Sequence, residues 1–270
     1  MPVLVGTSVA AAAGEVVWWR VGAALVVALA LQVGTNYAND YSDGVRGTDD
    51  ARVGPVRLVA SGLRRATRVR AAAISAFAVA AVAGLALAAA VTWWLLAVGA
   101  VSIAAGWLYT GGPRPYGYAG YGELFVFVFF GVVATVGSAY VHLEQVSVLA
   151  VLASIPVGLL VTALLVANNL RDIPSDAVAG KRTLAVRIGD SATRAFFVVL
   201  VAVGAPIATV AIAPLSPLAL VALAAFALAV APVRIVTSGR EGADLVPVLA
   251  ATARLHLVYG ILLASGIVLS

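Results

Sequence analysis

The sequence predicts an all-α membrane protein: a polytopic bundle of about nine transmembrane helices. Its 270 residues are 63% hydrophobic and only 11% charged, which gives more apolar surface than one soluble core can bury. The mean hydropathy is +1.06. Runs such as 85–90 and 149–166 lack the polar stripe, repeating every 3.6 residues, that a helix of a soluble protein carries. These observations favour a membrane protein over a soluble helical one.

Apolar runs between charged or Gly- and Pro-rich breaks predict the positions of the helices. They fall at approximately 2–13, 17–41, 67–90, 93–109, 122–141, 146–169, 192–211, 216–236 and 245–269. We expect one transmembrane domain over 1–270, with related halves around 17–110 and 146–240. The first run lacks the basic segment and the cleavage site of a signal peptide, so it is interpreted as a helix of the bundle.

The distribution of basic residues predicts the orientation. When successive loops alternate between the two sides of the membrane, fifteen of the 17 Lys and Arg residues share one side. The positive-inside rule makes that side cytoplasmic and the protein a multi-pass protein of the cell membrane. The net charge of +5 is thereby explained by topology, and no nucleic-acid partner is expected.

Two polar motifs stand at the ends of apolar runs. The first has its members at i, i+4 and i+7, and the second at i, i+4 and i+8, so each motif occupies one helical face. The members are Asn36, Asp40 and Asp43 in the first motif and Asn168, Asp172 and Asp176 in the second. Four helices separate the motifs, which suggests two related halves that each contribute carboxylates to a shared cavity.

The residue types limit which metal these motifs would bind. The chain has no cysteine and two histidines, which excludes thiolate chemistry and a multi-histidine metal site. Carboxylate and amide oxygens suit Mg²⁺, which takes one or two carboxylates together with phosphate oxygens. The alternative is that the acids pair with loop arginines and cap the helix ends. The match between the two motifs favours Mg²⁺ bound around a diphosphate.

Three segments, 35–62, 109–131 and 168–189, resemble the UbiA superfamily of intramembrane prenyltransferases, and within it the 1,4-dihydroxy-2-naphthoate polyprenyltransferase branch. The superfamily's first motif reads approximately NDxxDxxxD. Here Asn39, Asp40 and Asp43 match it, while Gly47 stands at the last position and Asp49 follows. That departure agrees with the pattern of the naphthoate branch, NDYxDxxxGxD.

The resemblance implies a bundle with a central cavity that opens to the cytoplasmic side and laterally to lipid. It also implies a Mg²⁺-dependent enzyme of menaquinone synthesis, whose substrates are a polyprenyl diphosphate and 1,4-dihydroxy-2-naphthoate. Attack at the ring carbon that bears the carboxylate, with loss of CO₂ and pyrophosphate, would give demethylmenaquinone. The expected partners are the two substrates and the lipid bilayer.

The expected site residues fall into three groups. The catalytic group is Asp40, Asp43, Asp172, Asp176 and Tyr109. The metal ligands are the same four aspartates and Asp49. The substrate-binding group is Asn36, Asn39, Arg57, Arg114, Asn168, Asn169 and Lys181, with Arg46, Arg52 and Arg182 as alternatives. Tyr109 also fits an interfacial aromatic belt, and Glu123 is a weaker candidate because it also suits a helix N-terminus.

Two alternative functions remain open at the level of sequence. Related superfamily enzymes use hydroxybenzoate, homogentisate or a sugar phosphate as the acceptor. A cation-coupled transporter also has repeats and intramembrane acids, but transport requires access from two sides, whereas the acids and basic loops here gather on one.

Overall fold

The computed structural model describes residues 1–48 and 56–270, and within these ranges all regular secondary structure is helical. The helices are α1 (Pro2–Ala12), α2 (Trp18–Arg46), α3 (Ala66–Ala90), α4 (Trp94–Leu108), α5 (Gly122–Leu143), α6 (Val148–Val178), α7 (Leu184–Val210), α8 (Pro217–Thr237) and α9 (Gly242–Leu269). Seven of them are long and apolar enough to cross a membrane, whereas α1 and α4 are shorter apolar helices. The chain is therefore a multi-pass membrane protein, and membrane crossing by α1 and α4 stays a prediction.

The predicted ends of two helices are wrong. α2 continues past residue 41 to Arg46, and α6 continues past residue 169 to Val178. The apolar-run criterion stops at the first polar side chains, but the backbone hydrogen bonds of the helix continue through them. Glycines in the left-handed region follow the true ends, with φ of 70° at Gly47 and 73° at Gly180. Both polar motifs therefore lie within helices.

The chain divides into two compact units. The larger unit contains Met1–Val21, Glu123–Arg171 and Ile188–Ser270, and the smaller unit contains Gly22–Gly122 and Asp172–Arg187. Most of the predicted site residues belong to the smaller unit, and Asn168, Asn169 and Glu123 belong to the larger one.

Small residues allow the helices of the larger unit to approach closely. A Cβ atom on Gly131 of α5 would lie 2.4 Å from the Cα atom of Gly158 in α6. On α1, a Cβ atom on Gly6 would lie 2.4 Å from the carbonyl oxygen of Thr135. Such contacts replace side-chain packing by backbone packing, as is common between membrane helices. α8 packs along α9 in the same unit.

A phenylalanine packs between three helices of the smaller unit. The ring of Phe77, on α3, lies 2.8 Å from where a Cβ atom on Gly34 of α2 would stand, and 3.3 Å from the corresponding point on Gly106 of α4. Trp107 packs edge-on against this ring, with centroids 6.5 Å apart, and also contacts Tyr41 at 6.4 Å. This packing fixes the last turns of α2, where the first polar motif lies.

Candidate functional site

The carboxylate of Asp40 binds the backbone of Leu58 and Val59. Asp40 is 5% exposed, and its two oxygens accept hydrogen bonds from the backbone N–H groups of Leu58, at 2.9 Å, and Val59, at 3.0 Å. Gly44, one turn further along α2, allows this close approach, because a Cβ atom at this position would lie only 2.5 Å from the Cβ atom of Val59. Leu58 and Val59 therefore lie against the helix face that carries the first motif.

Lys181 joins the two polar motifs within the smaller unit. Its ammonium donates a hydrogen bond to Oδ2 of Asp43 at 2.9 Å and lies 3.9 Å from Oδ1 of Asp176. All three residues are buried, as is Asp172, one helical turn before Asp176. Burial alone would lower the pKa of the Lys181 ammonium, but the carboxylates of Asp43 and Asp176 outweigh it and raise that pKa above its ordinary value.

Tyr118 is a site residue that the sequence did not single out. Its hydroxyl donates a hydrogen bond to Oδ1 of Asp43 at 2.6 Å, and its ring faces the Arg46 guanidinium at 5.4 Å and the Lys181 ammonium at 5.1 Å. Burial and the Asp43 carboxylate raise the pKa of this phenol, so it stays protonated as a donor. The segment 109–121 contains four tyrosines, and spacing alone does not distinguish Tyr118 from the others.

The loop after α4 is tied to the end of α2. The Thr110 hydroxyl donates to Oδ1 of Asn39 at 2.9 Å, and the Arg46 guanidinium donates to the carbonyl oxygens of Thr110 and Gly112. Arg46 is thus engaged with loop backbone. Tyr109 is half-buried and packs edge-on against Tyr116, with ring centroids 5.5 Å apart.

Two predicted residues, Asn36 and Arg114, are not part of this cluster. Asn36 and Arg114 are exposed, and within the described ranges no hydrogen bond or ion pair connects either side chain to the four aspartates. Arg57 is half-buried, next to Leu58 and Val59, and Arg182 is exposed and donates its backbone N–H to the carbonyl oxygen of Tyr118 at 3.0 Å. The predicted residues Asp49 and Arg52 lie outside the described residues.

Asn168 of the second motif and the neighbouring Asn169 have partners in the larger unit. Oδ1 of Asn168 accepts a hydrogen bond from the Arg171 guanidinium at 2.8 Å. The amide of Asn169 donates to Oε1 of Glu123 at 2.9 Å. Glu123 is only 6% exposed, so it does more than favour a helix N-terminus. It fixes the orientation of the Asn169 amide one turn before Asp172.

The composition of the site fits Mg²⁺. Among the described residues, no three carboxylate or imidazole side chains form a ready-made metal cluster. Mg²⁺ does not require one, because it is usually held by one or two carboxylates while waters and substrate phosphates supply the other ligands. The carboxylate oxygens of Asp40 and Asp43 each accept one hydrogen bond from the protein, and an ionised oxygen keeps a further lone pair for a cation.

Comparison with known proteins gives consistent matches over almost the whole chain. The model of the UbiA prenyltransferase family matches residues 1–263. The chain is 50% identical to the 1,4-dihydroxy-2-naphthoate octaprenyltransferase of Mycobacterium tuberculosis, over 98% of this chain and 91% of that protein. It is 30% identical to the enzyme of the same name from Bacillus subtilis, over 100% of this chain and 88% of that protein.

Two solved structures share the fold. The UbiA homologue from Archaeoglobus fulgidus, bound to GPP and Mg²⁺, matches with a TM-score of 0.67 at 15% identity, over 98% of this chain and 95% of that one. A digeranylgeranylglyceryl phosphate synthase matches with a TM-score of 0.64 at 14% identity, over 100% and 92% of the two chains. The resemblance inferred from the three sequence segments is thus confirmed, and the chain belongs to the UbiA prenyltransferase family.

Proposed function

We propose that this protein transfers a polyprenyl group from a polyprenyl diphosphate to 1,4-dihydroxy-2-naphthoate. The similarity to the 1,4-dihydroxy-2-naphthoate octaprenyltransferases of Mycobacterium and Bacillus, over nearly the full length of the chain, supports this choice of substrates. The observation that carries the proposal is the position of Lys181, which is within 2.9 Å of Asp43 in the first motif and 3.9 Å of Asp176 in the second. Because one buried ammonium group reaches carboxylates of both motifs, metal ions bound to the two motifs would lie close enough to contact one diphosphate.

The aspartates of the two motifs are the proposed metal ligands, and Lys181 and Tyr118 position them. Asp40, Asp43, Asp172 and Asp176 would hold Mg²⁺, with Asp49 as a further ligand suggested by the sequence. When bound, Mg²⁺ would neutralise charge on the diphosphate and on the leaving pyrophosphate. Lys181 keeps the carboxylates of the two motifs close before substrate arrives and adds a cation next to the phosphate oxygens. Tyr118 holds the Asp43 carboxylate in one orientation.

The reaction itself balances without a redox partner. The bond between C1 of the prenyl chain and the diphosphate oxygen breaks, and its electron pair leaves with pyrophosphate. The ring carbon that bears the carboxylate forms a carbon–carbon bond to C1. The carboxylate is then lost as CO₂, and its electron pair returns to the ring. The product is the quinol form of demethylmenaquinone. The protein's part is positioning and electrostatic stabilisation.

The remaining predicted residues contact the organic parts of the substrates. The paired rings of Tyr109 and Tyr116 offer aromatic faces to a cation-like prenyl carbon. Asn169, oriented by Glu123, offers its amide to the naphthoate, and Arg57 or Arg114 pairs with an anionic group of a substrate. Asn36, Asn39 and Asn168 would supply further polar contacts to the substrates next to the same motifs.

We also propose the arrangement that the resemblance implies. Nine helices enclose a central cavity that opens to the cytoplasm and laterally to lipid, within a single domain of two related halves. Fifteen of the 17 Lys and Arg residues lie on the proposed cytoplasmic side, and that side carries the loops that follow both polar motifs. A polyprenyl diphosphate would then enter with its chain in lipid and its diphosphate facing the basic loops.

Mass spectrometry of the lipid product tests this function. The full chain, purified in lipid nanodiscs, is given Mg²⁺, polyprenyl diphosphates of several lengths and an equal mixture of dihydroxynaphthoate, hydroxybenzoate and homogentisate. We expect a prenylated naphthoquinol with the mass of one CO₂ removed, and no product after exhaustive chelation. A dominant hydroxybenzoate or homogentisate product would assign another acceptor. No transfer at all, together with cation uptake by proteoliposomes, would favour a transporter.

A further inference from the structure

A second candidate binding site lies in the larger unit, away from both polar motifs in the sequence. An open groove of about 260 Å³ runs between α8 and α9. Five apolar residues form its walls, among them Leu228, Ala231 and Ala251, and two arginines, Arg234 and Arg254, line the same groove. A mixture of aliphatic surface and two guanidinium groups is unusual on helices that are otherwise apolar.

Neither arginine has an anionic partner among residues 1–48 and 56–270. Both are exposed, and neither guanidinium forms an ion pair or a hydrogen bond with any described residue. Other arginines beside apolar helices of this unit are neutralised: Arg20 pairs with Glu144 at 2.9 Å, and Arg194 pairs with Asp190 at 2.5 Å. The groove therefore presents two positive charges that an external anion would neutralise.

The depth of Arg254 sets it apart from the loop arginines. Arg254 lies eight residues after Val246, where the α-helical part of α9 begins, which corresponds to about 12 Å along the helix axis. The positive-inside rule accounts for basic residues in loops and not for one this far into an apolar helix. Side chains incline towards the N-terminus of their helix, so Arg254 inclines towards the membrane face where α8 ends and Arg234 lies.

We propose that this groove binds one anionic phospholipid, with its phosphate between Arg234 and Arg254 and part of an acyl chain along the apolar walls. Guanidinium groups bind phosphate through paired, charge-assisted hydrogen bonds, and basic pockets between membrane helices bind anionic headgroups. The apolar walls favour a lipid over free phosphate, because they bury acyl surface that inorganic phosphate lacks. The proposal is independent of the proposed prenyl transfer, since neither arginine belongs to the polar motifs.

Native mass spectrometry of lipid retention tests the proposal. The full chain is purified in detergent, stripped of lipid and mixed with phosphatidylglycerol or phosphatidylcholine. We expect one retained phosphatidylglycerol, preferred over phosphatidylcholine by at least about tenfold, and loss of that preference when Arg234→Gln and Arg254→Gln are combined. Arg70→Gln is the matched control, because Arg70 is also an exposed arginine near the end of an apolar helix. Equal retention by the double variant and the control would overturn the proposal.

A second variant separates a groove from a general effect of charge. Ala231→Leu narrows the groove and leaves both arginines in place, so it should lower phosphatidylglycerol retention several-fold. Unchanged retention in this variant would show that the groove takes no acyl chain. Displacement of the lipid by millimolar inorganic phosphate would identify a phosphate site instead, and displacement by an equimolar polyprenyl diphosphate would identify a substrate site. Either result would overturn the lipid proposal.

Discussion

At the scale of single residues, the ion pair between Lys181 and Asp43 links the first polar motif to the segment that follows the second. The side chains of Lys181 and Asp43 are only 9% and 6% exposed, so neither charge is well solvated by water. Removing one partner of a buried ion pair leaves the other charge without compensation, which costs far more than the pair itself contributes. The pair therefore holds the end of α2 against the segment that follows α6.

Lys181→Gln should lower the free energy of unfolding by about 3 kcal/mol, measured as a lower thermal unfolding temperature in detergent without divalent ions. Mg²⁺ should raise that temperature more in the variant than in the wild type, because it replaces the missing charge. Arg182→Gln, at the exposed neighbouring position, is the control. Equal unfolding temperatures for the two variants would show that the ion pair contributes nothing.

The stability difference between the wild type and Lys181→Gln should depend on pH in a defined way. The folded protein raises the pKa of Lys181 above its ordinary value of 10.5, so the contribution of the pair is fully present below that value. It is lost as the pH rises through the raised pKa. The difference in unfolding temperature between wild type and Lys181→Gln should thus stay constant around neutral pH and shrink only in strongly alkaline buffer.

Tyr118→Phe tests whether the hydroxyl of Tyr118 orients Asp43 for metal and diphosphate binding. The change removes a 2.6 Å hydrogen bond to a carboxylate and keeps the ring that faces Arg46 and Lys181. We expect prenyl transfer to fall about tenfold, the size of one lost hydrogen bond to a charged group, and the Mg²⁺ concentration for half-maximal rate to rise. Tyr121→Phe, at an exposed tyrosine of the same loop, should retain the wild-type rate. Identical behaviour of both variants would remove Tyr118 from the site.

These residues also mark how far sequence reasoning reaches. Periodicity placed Asp40 and Asp43 on one helical face, and both are buried there, but Asn36, expected on the same face, is exposed. The hydrogen bonds from Leu58 and Val59 to Asp40 join residues that are 18 and 19 positions apart, which no periodic pattern encodes. Tyr118 was missed for the same reason, since only the folded loop brings its hydroxyl to Asp43.

At the scale of helices, close backbone contacts set the spacing of α5 and α6. Both helices carry residues of the candidate site, because Glu123 lies in the first turn of α5 and its partner Asn169 lies on α6. Gly131 and Gly158 let the two backbones touch. The all-helical membrane fold was predicted correctly, but such contacts were not, because a glycine at a helix interface and a glycine facing lipid look alike in one sequence.

Gly131→Ala should therefore destabilise the protein by about 2 kcal/mol through overpacking. The new Cβ atom would lie 2.4 Å from the Cα atom of Gly158, and backbone cannot move aside as a flexible side chain can. Gly137→Ala is a control on the same helix, since nothing lies within 4 Å of its Cβ position, and alanine favours a helix over glycine. The prediction fails if thermal unfolding ranks the two variants equally or in the opposite order.

At the scale of the whole molecule, the asymmetry of charge predicts the side of the membrane on which the polar motifs lie. The chain contains no cysteine, so single cysteines report accessibility without further changes. Val178 is 87% exposed at the end of α6, and Gln145, between α5 and α6, is also exposed. In intact cells, an impermeant maleimide should label Gln145→Cys, and it should label Val178→Cys only after permeabilisation. The reverse pattern would invert the proposed orientation.

The rate of prenyl transfer in a set of aspartate variants tests most directly whether the two motifs act on one diphosphate. Asp40→Asn and Asp172→Asn are made singly and together, and thermal unfolding is measured in each variant. This control is needed because Asn at position 40 has only one carbonyl oxygen, so one of the hydrogen bonds from Leu58 and Val59 is lost. Glu241→Gln is the control, since Glu241 is exposed, whereas Glu144 pairs with Arg20. Each single variant should lose at least about a hundredfold in rate, and the double variant little more, because residues that act as a unit lose nearly everything on the first deletion. Full activity in Asp172→Asn, or losses that multiply in the double variant, would contradict a shared site.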